Sequence, residues 1–156
     1  MLVILITSSI STFAQAPDWL WAKGAGGTYN DYTHSIAVDA NGNSYVTGYF
    51  DSPTITFGST VLTNANSAGG TCDIFIVKYD ESGNVLWAKG EGGTSTDYAY
   101  SITVDANGNS FITGYFDSPS IIFGSTTLTN ADNTGNTGDI FIVKYNTSGN
   151  VLWAKR

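Results

Sequence analysis

Residues Asp73–Lys89 read DIFIVKYDESGNVLWAK, and Asp139–Lys155 read DIFIVKYNTSGNVLWAK. Each stretch is a β-rich run, a Ser-Gly-Asn turn and a second β-rich run. Glycine supplies the positive φ of a tight turn, so each stretch predicts a β-hairpin. In the first run, Ile74 and Ile76 point to one side while Phe75, Val77 and Tyr79 point to the other. A sheet with water on one face alternates polar and apolar residues. A sheet apolar on both faces is packed between two others.

The duplication extends outward from these hairpins. Trp21-Ala22-Lys23-Gly24 returns as Trp87-Ala88-Lys89-Gly90, and again as Trp153-Ala154-Lys155, where Arg156 breaks the match. The spacing is 66 residues, and about 48 of the 66 paired positions are identical without a gap. A second hairpin precedes the first in each unit: Ser35–Asp39 and Ser44–Phe50 flank Asn41-Gly42-Asn43, and Ser101–Asp105 and Ser110–Phe116 repeat them. Between the hairpins lie Ser52–Ala65 and Ser118–Ala131. The first predicts an added hairpin, Thr54–Phe57 and Thr60–Thr63, turning at Gly58-Ser59. No stretch combines a 3.6-residue period with helix formers.

The fold class expected is all-β. Four-stranded antiparallel sheets packed face to face around an axis are propeller blades, and a closed ring needs about four to eight of them. The chain is therefore expected to hold two tandem blades of a β-propeller, an incomplete ring, each with an extra hairpin insertion. Two small sandwich domains are the competing architecture, but each unit is lean for one and no linker separates them. The expected division is a leader at 1–16, a stray outer strand and crossover loop at 17–34, a blade at 35–89, a second crossover at 90–100 and a second blade at 101–156. Trp19–Lys23 reads as an outermost strand without its sheet, loosely held or irregularly paired.

The combination Ser35–Asp39, Gly42–Tyr49, Asp73–Tyr79 and Ser82–Trp87 resembles the bacterial β-propeller repeats of the SBBP type. The resemblance covers essentially all of Trp19–Lys155. It implies a propeller in a secreted or surface-exposed bacterial protein, usually much longer than this chain. It implies no reaction, because the family has no shared catalytic set.

Charge narrows the partners. Six basic residues face thirteen acidic ones, for a net charge of −7. Such a chain repels a polyanion, which argues against nucleic acid. Met1–Ala16, MLVILITSSISTFAQA, is uncharged and ends in Ala14-Gln15-Ala16, a small-x-small site. This is the pattern of a secretory signal peptide, and its apolar run is too short and broken to span a bilayer. A secreted or cell-surface location is expected, and not an integral membrane protein. A buried N-terminal strand is the alternative for the same residues.

If Ser35–Asp39 is innermost and Val85–Lys89 outermost, the two short turns of each blade lie on one face. The crossover and the long insertion lie on the other. Long loops on a rigid scaffold carry binding, so the candidate ligand-binding residues are Asp31, Tyr32, Asp97 and Tyr98, at the crossovers. A cation or sugar hydroxyls are the ligands such residues could take. The alternative is that each aspartate caps its loop by accepting backbone N–H bonds. Asp39–Asn43 and Asp105–Asn109 faintly resemble a calcium loop but lack glycine and glutamate at the required places, and a hairpin turn explains them. Trp21, Trp87 and Trp153 could stack on sugars, though at fixed strand positions such rings are more often core. Lys78 and Lys144 lie in apolar strands, where an aspartate partner or snorkelling is expected. Cys72 is unpaired and is Gly138 in the sister unit; His34 is likewise Tyr100.

No catalytic set, metal site or cofactor is called for: the chain has one histidine, one cysteine and no nucleophile–base pattern. The expected role is a structural or interaction module, not an enzyme, that binds protein or glycan through the long-loop face. The alternative is the scaffold part of a larger secreted enzyme whose catalytic residues lie elsewhere. Further blades of a longer parent, or self-association, would complete the ring.

Overall fold

In the computed structural model, which describes residues 18–132, 134 and 137–156, every regular element is a strand. The first blade comprises β1 (Asp31–Val38), β2 (Ser44–Phe50), β5 (Asp73–Tyr79) and β6 (Val85–Glu91), hydrogen-bonded in the order β1-β2-β5-β6. Between β2 and β5, β3 (Thr54–Phe57) and β4 (Thr60–Thr63) form a separate hairpin that turns at Gly58, with φ 59°. The second unit repeats this plan. Its blade holds β7 (Asp97–Val104), β8 (Ser110–Phe116), β11 (Asp139–Tyr145) and β12 (Val151–Lys155), and its hairpin is β9 (Ser120–Phe123) with β10 (Thr126–Thr129).

All pairings are antiparallel, and their register separates the loops into two sets. Val38 pairs with Ser44, Ser44 with Tyr79 and Tyr79 with Val85, so both short turns leave one end of the blade. Asp31 pairs with Phe50 and Phe50 with Asp73, so the crossover and the insertion share the other end. The short turns are self-contained. Asp39 accepts N–H bonds from Asn41 and Asn43 while Gly42 takes φ 79°, and Asp105 repeats this with Asn107 and Asn109. Their residual charge meets the strand lysines: Lys78 lies 3.7 Å from Asp39 and Lys144 lies 3.2 Å from Asp105. Each ammonium also sits over an aromatic ring, Tyr45 or Phe111.

Both faces of the blades are apolar for different reasons. On one face of the first blade, the insertion hairpin packs Ile55, Phe57 and Leu62 against Phe50, Phe75 and Val77. On the other face, Tyr45, Ile74 and Ile76 join a single core with the second blade and its hairpin, including Ile102, Ile112, Ile121 and Phe123. Polar bonds fix the alignment of the blades. The Tyr45 hydroxyl donates to the Gly108 carbonyl (2.9 Å), the Trp87 indole to the Thr147 carbonyl (3.0 Å) and the Asp97 N–H to the Cys72 carbonyl (2.8 Å).

Several strand boundaries differ from the sequence reading. β1 starts at Asp31 and β7 at Asp97, four residues before the expected Ser35 and Ser101, so much of each expected crossover is strand. The cause is a β-bulge. Thr33 pairs with Gly48 and Ser35 with Thr47, which leaves His34 as the extra residue; Tyr100 is extra in the second blade. β6 also continues to Glu91, two residues past the expected Lys89.

Asp18–Lys23 adopt no strand. Trp19 and Leu20 are about nine-tenths exposed, and the segment is held by Trp21, which packs on Tyr79 and donates to the Glu81 carbonyl at 3.0 Å. The signal-peptide reading of Met1–Ala16 falls outside the described residues. Among the described residues no helix is long and apolar enough to cross a membrane.

Candidate functional site

The bulges determine what the long-loop face presents. A bulge re-aims side chains and strengthens local twist. Here it turns His34 and Tyr100 toward neighbouring rings. His34 stacks on Tyr49 and meets Tyr100 edge-on, both with centroids 5.1 Å apart. Tyr32 lies opposite Tyr49 and Tyr98 opposite Tyr115, each pair at 5.2 Å. Tyr49 and Tyr98 close the gap between blades with an edge-to-face contact at 4.3 Å. Six rings from two blades therefore form one continuous patch near the start of the inner strands. Tyr32 and Tyr100 are about half exposed, at 47% and 45%.

Glycine opposite the bulge makes this geometry possible. A Cβ on Gly48 would run into the Tyr32 carbonyl, and one on Gly114 into the Tyr98 carbonyl.

Beneath the rings, Cys72 donates its thiol hydrogen to Asp51 at 2.6 Å. Burial, and then the Asp51 carboxylate, push the thiol up to about 12, so it stays protonated at neutral pH. Burial likewise raises the hydroxyls of Tyr49, Tyr98 and Tyr115, the last to about 12. Tyr49, Tyr98 and Tyr115 thus stay protonated, as amphipathic rings with O–H groups to share. The patch contains no activated nucleophile.

The two aspartates proposed from the sequence lie at the edge of this patch, in a different role from the tyrosines. Asp31 accepts bonds from the Gly27 N–H (2.7 Å) and from the Ser52 hydroxyl (3.0 Å). Asp97 accepts bonds from the Ser118 hydroxyl (2.8 Å) and the Ser118 N–H (3.2 Å), and it is wholly buried. Each carboxylate ties the start of an inner strand to the start of the insertion, which fixes both long loops. Tyr32 and Tyr98, the neighbouring residues, carry the rings.

Part of each unit matches one family model. The matched residues are 21–52 and 90–118, and the model describes an SBBP β-propeller repeat. The two matched stretches are SBBP β-propeller repeats.

Two curated proteins are similar to this chain. An uncharacterised WD repeat-containing protein of Acanthamoeba polyphaga mimivirus is 32% identical over 126 residues, covering 77% of this chain and 9% of the relative. The regulatory protein FlaEY of Caulobacter vibrioides is 26% identical over 130 residues, covering 83% of this chain and 13% of the relative. The chain thus spans roughly a tenth of the length of these relatives.

Within the SBBP repeats, the sequence reading singled out Tyr32 and Tyr98 but missed His34, Tyr49, Tyr100 and Tyr115. A signal was present. Tyr32/His34 and Tyr98/Tyr100 are each two apart beside a predicted strand, and Thr-Gly-Tyr-Phe recurs at 47–50 and 113–116. His34 and Tyr100 differ chemically, which hid the fact that both are rings at one bulge. The repeats also bury Asp73 and Asp97 and half-bury Glu91 on this side of the blades. Burial raises Asp73 to about 6, and Glu91 and Asp97 to about 7, and the Asp73 charge adds to the last two.

Proposed function

We propose that this chain is a non-catalytic interaction module of a secreted or cell-surface bacterial protein, binding glycan or protein through the long-loop face. The observation that carries the reading is the patch of six rings shared by two blades. Tyrosines offer large, rigid contact area with a polar tip, the composition favoured in binding surfaces. Tyr32, Tyr98 and Tyr100 make the contact, while Asp31 and Asp97 act as positioning residues that hold the loops. A glycan is the first ligand class to test, since ring faces stack on sugar C–H groups and tyrosine hydroxyls bond sugar hydroxyls.

Glycan-array binding of the intact chain, followed by titration of the best ligand, tests the site. The Tyr32→Ala/Tyr100→Ala variant should weaken binding at least about tenfold with unchanged circular dichroism. Unchanged affinity in that variant refutes the site, and absence of any glycan or protein ligand refutes the function. Export is tested by the mature N-terminus of the protein recovered outside the cell, expected just after the Ala14–Ala16 region. A protein that keeps Met1 inside the cell refutes it.

A further inference from the structure

The interface between the two blades is a template for the two blade faces that no blade covers among the described residues. On the first blade, Tyr45, Ile74 and Ile76 are at most 2% exposed because the second blade lies over them. One unit later the same positions are Phe111, Ile140 and Ile142. Ile140 is 74% exposed and Ile142 40% exposed. The opposite face shows the mirror of this difference. Ile102 of the second blade is 6% exposed against the first blade, whereas its counterpart Ile36 is 62% exposed.

These two surfaces are the repeat counterparts of the two that meet between the blades. Beside Ile36 lies a cavity of about 340 Å³, lined by Trp21, Val46, Ile55, Phe57, Phe75 and Tyr79. In the second blade the matching Ile112, Ile121, Phe123, Phe141 and Tyr145 share a core with Ile74 and Ile76 of the first blade. Nothing from the described residues fills the cavity as Ile74 and Ile76 fill its counterpart. Ile140 and Ile142 are the same side chains at the same strand positions, and they are exposed at the other end of the molecule.

We infer that the outer face of the second blade docks head-to-tail on the first blade of another copy of this chain, placing Ile140 and Ile142 in the cavity beside Ile36. The surfaces joined are different ones on each copy, so the contact is heterologous and propagates until it closes. Trp21 already occupies the berth at the Glu81 carbonyl that matches the berth of Trp87 at Thr147, so docking exchanges Trp21 for the incoming Trp153. This inference stands apart from ligand binding and is tested without a ligand.

Sedimentation velocity across a dilution series of the intact chain should show a concentration-dependent oligomer. Ile140→Asp and Ile36→Asp change exposed side chains, so both variants should fold, with unchanged circular dichroism. Each should be monomeric, with the dissociation constant raised at least about thirtyfold. Mixed together, they should form a one-to-one heterodimer and nothing larger, because each retains the face the other has lost. A wild-type chain that stays monomeric overturns the inference. So does an oligomer that survives Ile140→Asp, or a mixture of the two variants that fails to pair.

Discussion

The Trp87 indole donates to the Thr147 carbonyl at 3.0 Å, joining the outer strand of one blade to the last hairpin turn of the next. Its ring also packs on Tyr145 and meets Tyr45 edge-on, so it touches both blades. Trp87→Phe keeps much of the ring contact and loses the hydrogen bond, and should cost about 1 kcal/mol. Trp87→Ala removes both and should cost about 3 kcal/mol. Urea unfolding measures the difference. Trp21→Ala should cost much less, since Trp21 anchors a segment outside both sheets.

Gly48→Ala and Gly114→Ala should each abolish or severely weaken folding, by more than about 3 kcal/mol. The added methyl group meets the backbone carbonyl of Tyr32 or Tyr98, and backbone paired in a sheet cannot step aside. Gly24→Ala is the control, because open space surrounds that position. Soluble yield and thermal melting compare the three.

Stability should fall as pH rises from about 4 to about 7. Asp97 and Glu91 titrate near 7 and Asp73 near 6 in the folded chain, chiefly through burial. In the unfolded chain such groups titrate near 4. Over that window the folded state therefore holds protons that the unfolded state has shed, and raising the pH favours unfolding. The Lys89 charge and the Tyr145 hydroxyl temper the effect at Glu91. Asp39 and Asp105 are held below the usual carboxylate range and oppose it only near pH 4, where they take up protons in the unfolded chain alone. The melting temperature should be higher at pH 5 than at pH 8, and Asp97→Asn should flatten the slope. A chain more stable at pH 8 contradicts this assignment.

Cys72 should react slowly with a thiol reagent in the folded chain and fast in urea. It is buried, bonded to Asp51 and raised to about 12, so little thiolate is available at neutral pH. Its rate of labelling then reports opening of the long-loop side. Rapid labelling of the native chain would contradict the bond to Asp51.

The strands were legible because they bury both faces. Asp73–Tyr79 carries apolar residues on either side, and the structure pairs it over its full length with Ser44–Phe50. The insertion hairpin was legible from the β-rich runs Thr54–Phe57 and Thr60–Thr63 on either side of Gly58-Ser59, and the structure pairs them as read. The beginnings of the inner strands were not. Thr33, His34 and Ser35 lack alternation because a bulge interrupts it, and the residues around it face little packing. The candidate site was half legible for a related reason. Tyr32 and Tyr98 stood out by repetition, whereas the contact between Tyr49 and Tyr98 exists only once two blades are stacked. Local sequence cannot show a neighbour that arrives from the next unit.

Trp87 belongs by numbering to the strand that ends one blade, yet its hydrogen bond and ring contacts reach into the next. That overlap has a genetic consequence. Recombination between matching codons of the two units inserts or removes 66 residues and always recreates the same tryptophan-to-turn junction. A gene of this design can change its number of blades in one event without inventing a contact.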